Sequence, residues 1–259
     1  MPLAEPEQGL RAPPFREEVG RGSISVGFSR QRQDIEAALR LRYSVFVEEM
    51  GANLPEAHDG IEEDAFDPYC LHLVARDKRR DLVVGTYRLL TDEGAKKAGG
   101  YYSETEFDIS ALKRLDGKIL ELGRACVHPE YRSGATIALL WAGLARFLVK
   151  NGFSYLIGCA SVPLSAGPQG IANVAAWLKK HHGAPDAWRV TPKRPYTPLP
   201  ESKEEDVALS PLFKGYLRVG AVAASEPALD PAFGVADFFL ILPVASTNLR
   251  YVRHFIDRC

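Results

Sequence analysis

The 259-residue chain has few cysteines and no long apolar run. Its four cysteines, Cys70, Cys126, Cys159 and Cys259, stand far apart with no CxxC pair. That spacing excludes a disulfide scaffold and a cysteine-ligated zinc module, and leaves reduced thiols as the expectation. No stretch of eighteen apolar residues occurs, so the sequence offers no membrane-spanning helix. Residues 1–20 are rich in Pro, Glu and Arg and lack the apolar centre of a signal peptide. The reading is a cytoplasmic protein in which residues 1–22 form a disordered tail and residues 23–259 a single domain. A net charge of −1 gives no general attraction to nucleic acid. A serine-hydrolase elbow is missing too, because Cys159-Ala160-Ser161-Val162-Pro163 does not fit GxSxG.

What the chain does have is charge sorted by region. Between Glu48 and Asp67 stand eight carboxylates and no Lys or Arg. From Lys179 to Arg194 the balance reverses, with Lys179, Lys180, Arg189, Lys193 and Arg194 against the single acid Asp186. An acidic region able to receive a cation and a basic region able to receive an anionic partner fit the two sides of a transfer reaction.

The periodicities predict an α/β (α+β) fold. Strand alternation is read at Ile24–Phe28, Leu71–Ala75, Leu82–Leu90, Ile119–Val127, Tyr155–Val162, Gly215–Ala223 and Asp237–Val244. The charged turn Arg76–Asp81 makes a hairpin of the second and third. Helical spacing is read at Gln33–Met50, after Gly134, and over Gly170–His182, with a short final helix after Val244. Residues Tyr101–Leu115 read as a polar excursion and Ala184–Ser210 as a proline-rich surface loop.

An amine attacks a thioester only as its neutral base, so acyl transfer to an amine needs a proton acceptor. Glu121, in the apolar run Ile119–Val127, is the candidate, because burial raises a carboxylate pKa. The competing reading is an ion pair with Arg124. Strict alternation puts these two on opposite faces, and a bulge at Gly123 would bring them to one cleft and splay the next strand away. Arg132-Ser133-Gly134-Ala135-Thr136 opens the long helix. Its N–H groups and dipole suit a phosphate, although an ordinary cap also explains the residues. Glu62, Asp64 and Asp67 could receive an acceptor's ammonium, or form a solvated acidic loop. Arg88 could clamp a carboxylate, or make an edge-strand salt bridge. A metal site near His58 and Asp59 has no ligand spacing to support it, and none is expected.

Several phrases carry a resemblance to a known family. They are Leu41-Arg42-Tyr43-Ser44-Val45-Phe46, the E-x-D-x-F-D of Glu62–Asp67, Gly85-Thr86-Tyr87-Arg88-Leu89-Leu90, Glu121-Leu122-Gly123-Arg124, Gly158-Cys159-Ala160-Ser161, Asn173-Val174-Ala175-Ala176-Trp177-Leu178 and Lys214-Gly215-Tyr216-Leu217-Arg218. Over residues 24–257 the chain resembles the GCN5-related N-acetyltransferase superfamily, and within it the ornithine N-alpha-acyltransferases that make lyso-ornithine lipid. The first four phrases are similar to those of acyl-homoserine-lactone synthases as well. Glu226-Pro227, Asp230-Pro231 and Ala236-Asp237 look like the ornithine-lipid branch.

The resemblance implies a three-layer GNAT-like fold whose mixed, mostly antiparallel sheet is splayed beside the central strand. It implies a 3-hydroxyacyl chain moved from acyl carrier protein to the alpha-amine of ornithine. Glu121 would be the base, Arg124 a substrate or carrier contact, and the acyl-phosphopantetheine thioester a co-substrate, with no bound cofactor. Because the product is a lipid, peripheral contact with a membrane is part of this expectation, and the basic residues after Lys179 are expected to dock the carrier. One departure is visible. Superfamily members commonly place a tyrosine that protonates the leaving thiolate on the helix after the fifth strand, and Gly170–His182 contains none. Remaining alternatives are the same chemistry on glutamine, glycine or lysine, a lactone-forming synthase, or a non-enzymatic acyl-carrier or lipid-binding module.

Overall fold

The computed structural model describes residues 19–197, 199–202 and 207–246. Its backbone is a nine-stranded sheet flanked on both faces. In chain order the elements are β1 (Val19–Arg21), β2 (Ile24–Ser29), α1 (Arg32–Tyr43), β3 (Leu71–Asp77), β4 (Leu82–Thr91), α2 (Asp92–Ala98), β5 (Phe107–Asp108), β6 (Lys118–Val127), α3 (Ala135–Asn151), β7 (Phe153–Pro163), α4 (Gly167–His182), β8 (Thr191–Pro192), α5 (Pro211–Val219), β9 (Val222–Ala223), β10 (Ala228–Asp230) and β11 (Val235–Pro243). The sheet runs β1-β2-β3-β4-β6-β7-β11-β10, with β9 also on β11, while β5 and β8 form a separate ribbon. Every pairing in the large sheet is antiparallel except β6 with β7.

Alternation along the strands decides which layer each side chain joins. Leu73, Leu89, Leu120, Leu156 and Phe238 face α3, α4 and α5, which bury Leu140, Phe147, Val174, Leu178 and Phe213 against them. On the other face α1 lays Ala38 and Leu41, and the turn after it Phe46, over Val74 and Val83. Beside it the segment after α2 packs Phe107, Ile109 and Leu112 on Ile157 and Phe239. The result is a three-layer arrangement with the central strand β6 between two different chemical environments.

Three expectations change. The sheet begins at Val19, which pairs with Val26, so part of the segment read as tail is a strand, while residues 1–18 lie outside the described residues. The helix read through Met50 changes winding: α1 ends at Tyr43 and Ser44–Glu49 continue as a π-helical turn. The strand read at Gly215–Ala223 is mostly the helix α5. Ser210 accepts from the Phe213 N–H as N-cap, Pro211 takes the first helical position, and Gly220 closes the helix in the left-handed conformation. Where a final helix is expected, Val244–Ser246 form a 3-10 turn, and residues 247–259 lie outside the described residues. Among the described residues no helix is long and apolar enough to cross a membrane.

Candidate active site

The site begins where β6 and β7 part. Their parallel ladder runs from Lys118–Phe153 to Glu121–Ile157 and stops. On its other side β6 pairs Cys126 with Thr86 and Gly123 with Arg88, so the single residue Tyr87 stands opposite both Arg124 and Ala125. That is a β-bulge, which bends and twists the strand that carries it. The sequence reading placed the bulge on Gly123. The left-handed residue is instead Arg124, with φ of 49°. A non-glycine residue there costs on the order of 1–3 kcal/mol, which its surrounding contacts must offset. Gly158 marks the last close contact of the two strands: a Cβ there would sit 2.4 Å from the Leu122 carbonyl oxygen.

A cavity of about 840 Å³ fills the opening and is lined from both faces of the sheet. On the α1 face its wall includes Arg88, Tyr102, Glu106, Glu121, Arg124 and Asp237. On the α3–α5 face it includes Leu122, Ile137, Trp141, Leu212, Phe213 and Tyr216. One lobe is therefore charged and the other nearly all apolar.

The acids Glu62, Asp64 and Asp67 are not a solvated loop, nor an open seat for an ammonium. Arg42, 1% exposed, pairs through Nη1 with Asp67 at 2.6 Å and through Nε with Glu62. Arg88 reaches Asp64 at 2.6 Å and Asp67 at 3.2 Å. Arg124 closes the circuit with Glu62 at 3.1 Å and Asp64 at 3.0 Å. Three guanidinium groups thus alternate with three carboxylates. The Arg42 and Arg88 charges, acting against burial, hold the Asp67 carboxyl far below the usual range. Arg124 also lies over the rings of Tyr102, at 4.7 Å, and Phe233, at 4.8 Å. These contacts explain how its strained backbone persists. Arg88 lines the cavity while its Nη1 bonds both Asp64 and Asp67, so the salt-bridge alternative read for it is present, within this network.

Glu121 is buried and does not pair with Arg124. Its carboxylate accepts from the Tyr102 and Ser103 N–H groups, each at 2.7 Å, and from Ser103 Oγ at 2.5 Å. Burial raises its pKa and these donors oppose the rise. The three bonds fix the short turn that presents Tyr102 to the cavity, and one of the roughly four lone-pair sites of a carboxylate remains.

Sequence reasoning missed a second acidic group. Glu106, Asp230 and Asp237 bring carboxylate oxygens within 4.8 Å of one another, and all three line the cavity. Among the described residues none of the three forms a salt bridge with an arginine, and Arg124 acts on Glu106 and Asp237 only from a distance. Asp237 is 4% exposed and accepts from Ser161 Oγ at 2.5 Å. Glu106 Oε2 is sealed from solvent and meets no donor among the described residues. Burial, then repulsion from Asp237 and Asp230, pushes Glu106 up to about 9, and burial first raises Asp237 to about 6. Asp237 was visible in principle, being a carboxylate inside the apolar run Val235–Pro243 just as Glu121 is inside its own. Metal ligation near His58 finds no support: His58 is exposed and its ring contacts the Glu56 carbonyl at 2.8 Å.

At the cavity mouth, Gly134 caps α3 and Arg132 pairs with Glu49 through two bonds of 2.6 and 2.7 Å. Each partner's side chain is 42% exposed, so this pair opens at little cost, about 0–1 kcal/mol. Ser133, Gly134 and Ala135 are exposed, whereas Thr136 is buried with its methyl facing Gly85, and of the five residues 132–136, Arg132 and Gly134 line the cavity.

Comparison with known proteins agrees with this geometry. Residues 41–142 match the family model of the acetyltransferase (GNAT) domain. Among solved structures, the fold superposes on FeeM, an N-acyl amino acid synthase from uncultured soil microbes. The TM-score is 0.51 at 12% identity, covering 87% of this chain and 96% of that one. It also superposes on BjaI, a CoA-dependent acyl-homoserine lactone synthase, with a TM-score of 0.50 at 18% identity, over 88% of this chain and 82% of that one. The fold is GNAT-like. The L-ornithine N(alpha)-acyltransferase of Brucella abortus is 38% identical over 92% of this chain and 90% of the relative. That of Rhizobium meliloti is 36% identical over 94% and 88% respectively. The chain belongs to the L-ornithine N-alpha-acyltransferase family.

Proposed function

We propose that this protein moves an acyl chain, hydroxylated at its third carbon, from the phosphopantetheine thioester of acyl carrier protein to the α-amine of ornithine, the first step of ornithine lipid synthesis. The carrying observation is the two-lobed cavity through the sheet gap, charged on one side, where Glu106, Asp230 and Asp237 stand in its wall, and apolar on the other. An acceptor with two amines and an acyl chain need those two environments, meeting at one point. The Glu106–Asp230–Asp237 group takes the side-chain ammonium, a role first read into Glu62, Asp64 and Asp67. The apolar lobe takes the chain.

The carrier's single phosphodiester lies at the start of α3, where Arg132 exchanges Glu49 for it, and the Ser133–Thr136 backbone amides face it. The pantetheine amides pair with the β6 edge left bare beyond Glu121. Glu121 accepts one proton from the α-ammonium, the freed lone pair adds to the thioester carbonyl, and collapse expels the thiolate, which takes up the second proton shed by the nitrogen and leaves as the thiol. The transfer is direct, with no acyl-enzyme.

The carrier docks beside the phosphate seat. The exposed hairpin turn Lys78-Arg79-Arg80 is tied to that seat, since Arg80 bonds Glu130 at 2.6 Å and Tyr131 at 3.2 Å on the turn leading into α3. Of the basic residues after Lys179, first read as the docking face, Lys179 and Lys180 stand in the last turn of α4, Arg189 pairs with Glu226 and Lys193 bonds the Glu104 carbonyl. An amphiphilic product formed in such a cavity leaves most readily into a membrane surface, which favours peripheral contact.

Incubation with labelled ornithine and 3-hydroxyacyl carrier protein, followed by thin-layer and mass analysis, should give a labelled amphiphile. Carrier binding without product would favour a lipid-binding module, and product formed only with S-adenosylmethionine would favour a lactone synthase. Glu121→Gln should lower kcat by about 10²–10⁴-fold, the usual worth of a general base, with folding intact. Turnover within threefold of the parent would remove Glu121 from that role.

A further inference from the structure

The apolar lobe holds a polar chain that the reaction scheme leaves unused. Trp141 Nε1 donates to Tyr87 Oη at 3.1 Å, and Tyr87 Oη lies 2.8 Å from Tyr216 Oη. The Trp141 and Tyr216 rings stack at 5.6 Å and 13°. Gly215 makes that approach feasible, since a Cβ there would come within 2.8 Å of the Trp141 ring. Trp141 and Tyr216 line the cavity, whereas Tyr87 is 1% exposed.

Polar satisfaction fixes the direction of the chain. An indole N–H can only donate, so Tyr87 Oη is an acceptor towards Trp141. Its own proton then has Tyr216 Oη as the acceptor within reach among the described residues. Were Tyr216 the donor, the Tyr87 proton would be buried without a partner, at a cost of about 1–3 kcal/mol. The order is therefore Trp141 to Tyr87 to Tyr216, and the hydroxyl of Tyr216, a residue that lines the cavity, has no protein acceptor for its proton among the described residues. Burial holds Tyr87 up at about 12 and Tyr216 well above its ordinary value, so both stay neutral donors.

A directed hydroxyl in an apolar wall calls for an oxygen on the ligand that occupies the lobe. Its place along the ligand follows from register. Tyr87 is the β4 residue opposite the bulge, where the strands part and the thioester carbonyl must sit. An acyl chain entering the lobe passes this point within its first carbons. We propose that Tyr216 is a specificity determinant that hydrogen-bonds a hydroxyl on the third carbon of the acyl chain, oriented by Tyr87 and Trp141. This rests on the acyl-transfer reading above and names which donors that site prefers.

The test compares kcat/KM of the full chain for two carrier-bound donors of equal length, with and without the 3-hydroxyl, using ornithine as acceptor. The parent should prefer the hydroxylated donor, and Tyr216→Phe should shrink the preference about tenfold, the worth of one hydrogen bond. Tyr87→Phe, which removes the orienting donor but keeps the cavity hydroxyl, should shrink it less. An unchanged ratio in both variants overturns the assignment. So does an equal fall for both donors, which would place Tyr216 at the thioester or in folding. A parent that acylates ornithine with neither donor overturns the acyl-transfer reading and this inference together, whereas transfer with an unmoved ratio overturns this inference alone.

Discussion

Two groups of three carboxylates lie on the same face of the sheet, and they differ in what surrounds them. Glu62, Asp64 and Asp67 interleave with Arg42, Arg88 and Arg124, so their charge is cancelled within the protein. Glu106, Asp230 and Asp237 stand together with no salt bridge to a guanidinium among the described residues, and burial, then repulsion, raises the affinity of Glu106 and Asp237 for protons. A carboxylate cluster that is already neutralised is architecture. One that must borrow protons has room for a cationic ligand. The acidity of a sequence segment does not separate the two cases, since only the positions of the arginines do.

The hardest way to break the comparison is to remove an arginine from the first group. Arg42→Met keeps the volume but leaves Glu62 and Asp67 buried with half their partners gone. Breaking a buried pair in this way costs about 3–5 kcal/mol. Urea denaturation should show that loss, and the left-handed Arg124 backbone should relax as its anchors loosen. A variant within 1 kcal/mol of the parent would mean that the network is solvated and contributes little.

In the second group the expected loss is of binding. Asp237→Asn removes one charge from the acceptor seat while keeping the Ser161 bond, so KM for ornithine should rise about 10–100-fold, equivalent to one charge-assisted hydrogen bond of ~1.5–3 kcal/mol. Stability should hold or improve, because repulsion is relieved. Norvaline, which is ornithine without the terminal amine, should be a poor acceptor for the parent and should gain nothing from Asp237. If ornithine and norvaline suffer equally, the cluster does not read the side-chain ammonium. Chelator treatment sharpens the same point: a fall in activity, restored by a divalent cation, would assign these oxygens to a metal.

Part of this was legible in the sequence. Glu121 announced itself as a carboxylate in an apolar strand, and the parting of β6 from β7 followed from expecting a bulge beside it. The bulge fell on Arg124 rather than Gly123 because ion pairs and two aromatic rings hold an arginine in a conformation that local propensity disfavours. Asp237 carried the same signal as Glu121 and needed only the same argument. Arg42 carried none: its partners lie 20 and 25 residues away, and a helix face does not disclose what it will meet. The strand read at Gly215–Ala223 failed because apolar content was weighed above Ser210-Pro211 and Gly220, which are the start and stop of a helix. The same signals were present for α2, where Thr91 caps the Gly94 N–H and Gly99 ends the helix left-handed.

The two groups should also respond oppositely to pH. Asp67 has a depressed pKa, so its stabilising contribution is intact at neutral pH and is lost only in strong acid. Glu106 and Asp237 are raised, to about 9 and about 6 from 4.5 and 3.8. Raised acids favour the folded state while protonated. Without acceptor, stability should therefore decline as pH climbs from about 5 to 9, as protons leave two crowded carboxyls. An ammonium between them favours the ionised forms, so ornithine should bind more tightly as pH rises across that window and should expel protons within it. Titration calorimetry in buffers of different ionisation enthalpy reads that release directly. Binding that releases no protons at pH 7 would mean that Glu106 is already ionised when empty.

The smallest effect lies at the surface, where charge acts on encounter rather than on chemistry. Reversing Arg79 in the β3–β4 turn should reduce kcat/KM for carrier-bound donors a few-fold at low salt, and the deficit should fade by roughly 0.5 M salt as screening shortens the reach of the turn. Donors presented on free phosphopantetheine should not register the change, because they lack the carrier's acidic face. The same reversal at Lys179 should do less, since α4 carries that residue in its last turn rather than beside the start of α3. A larger effect at Lys179 than at Arg79 would move the docking surface to the end of α4.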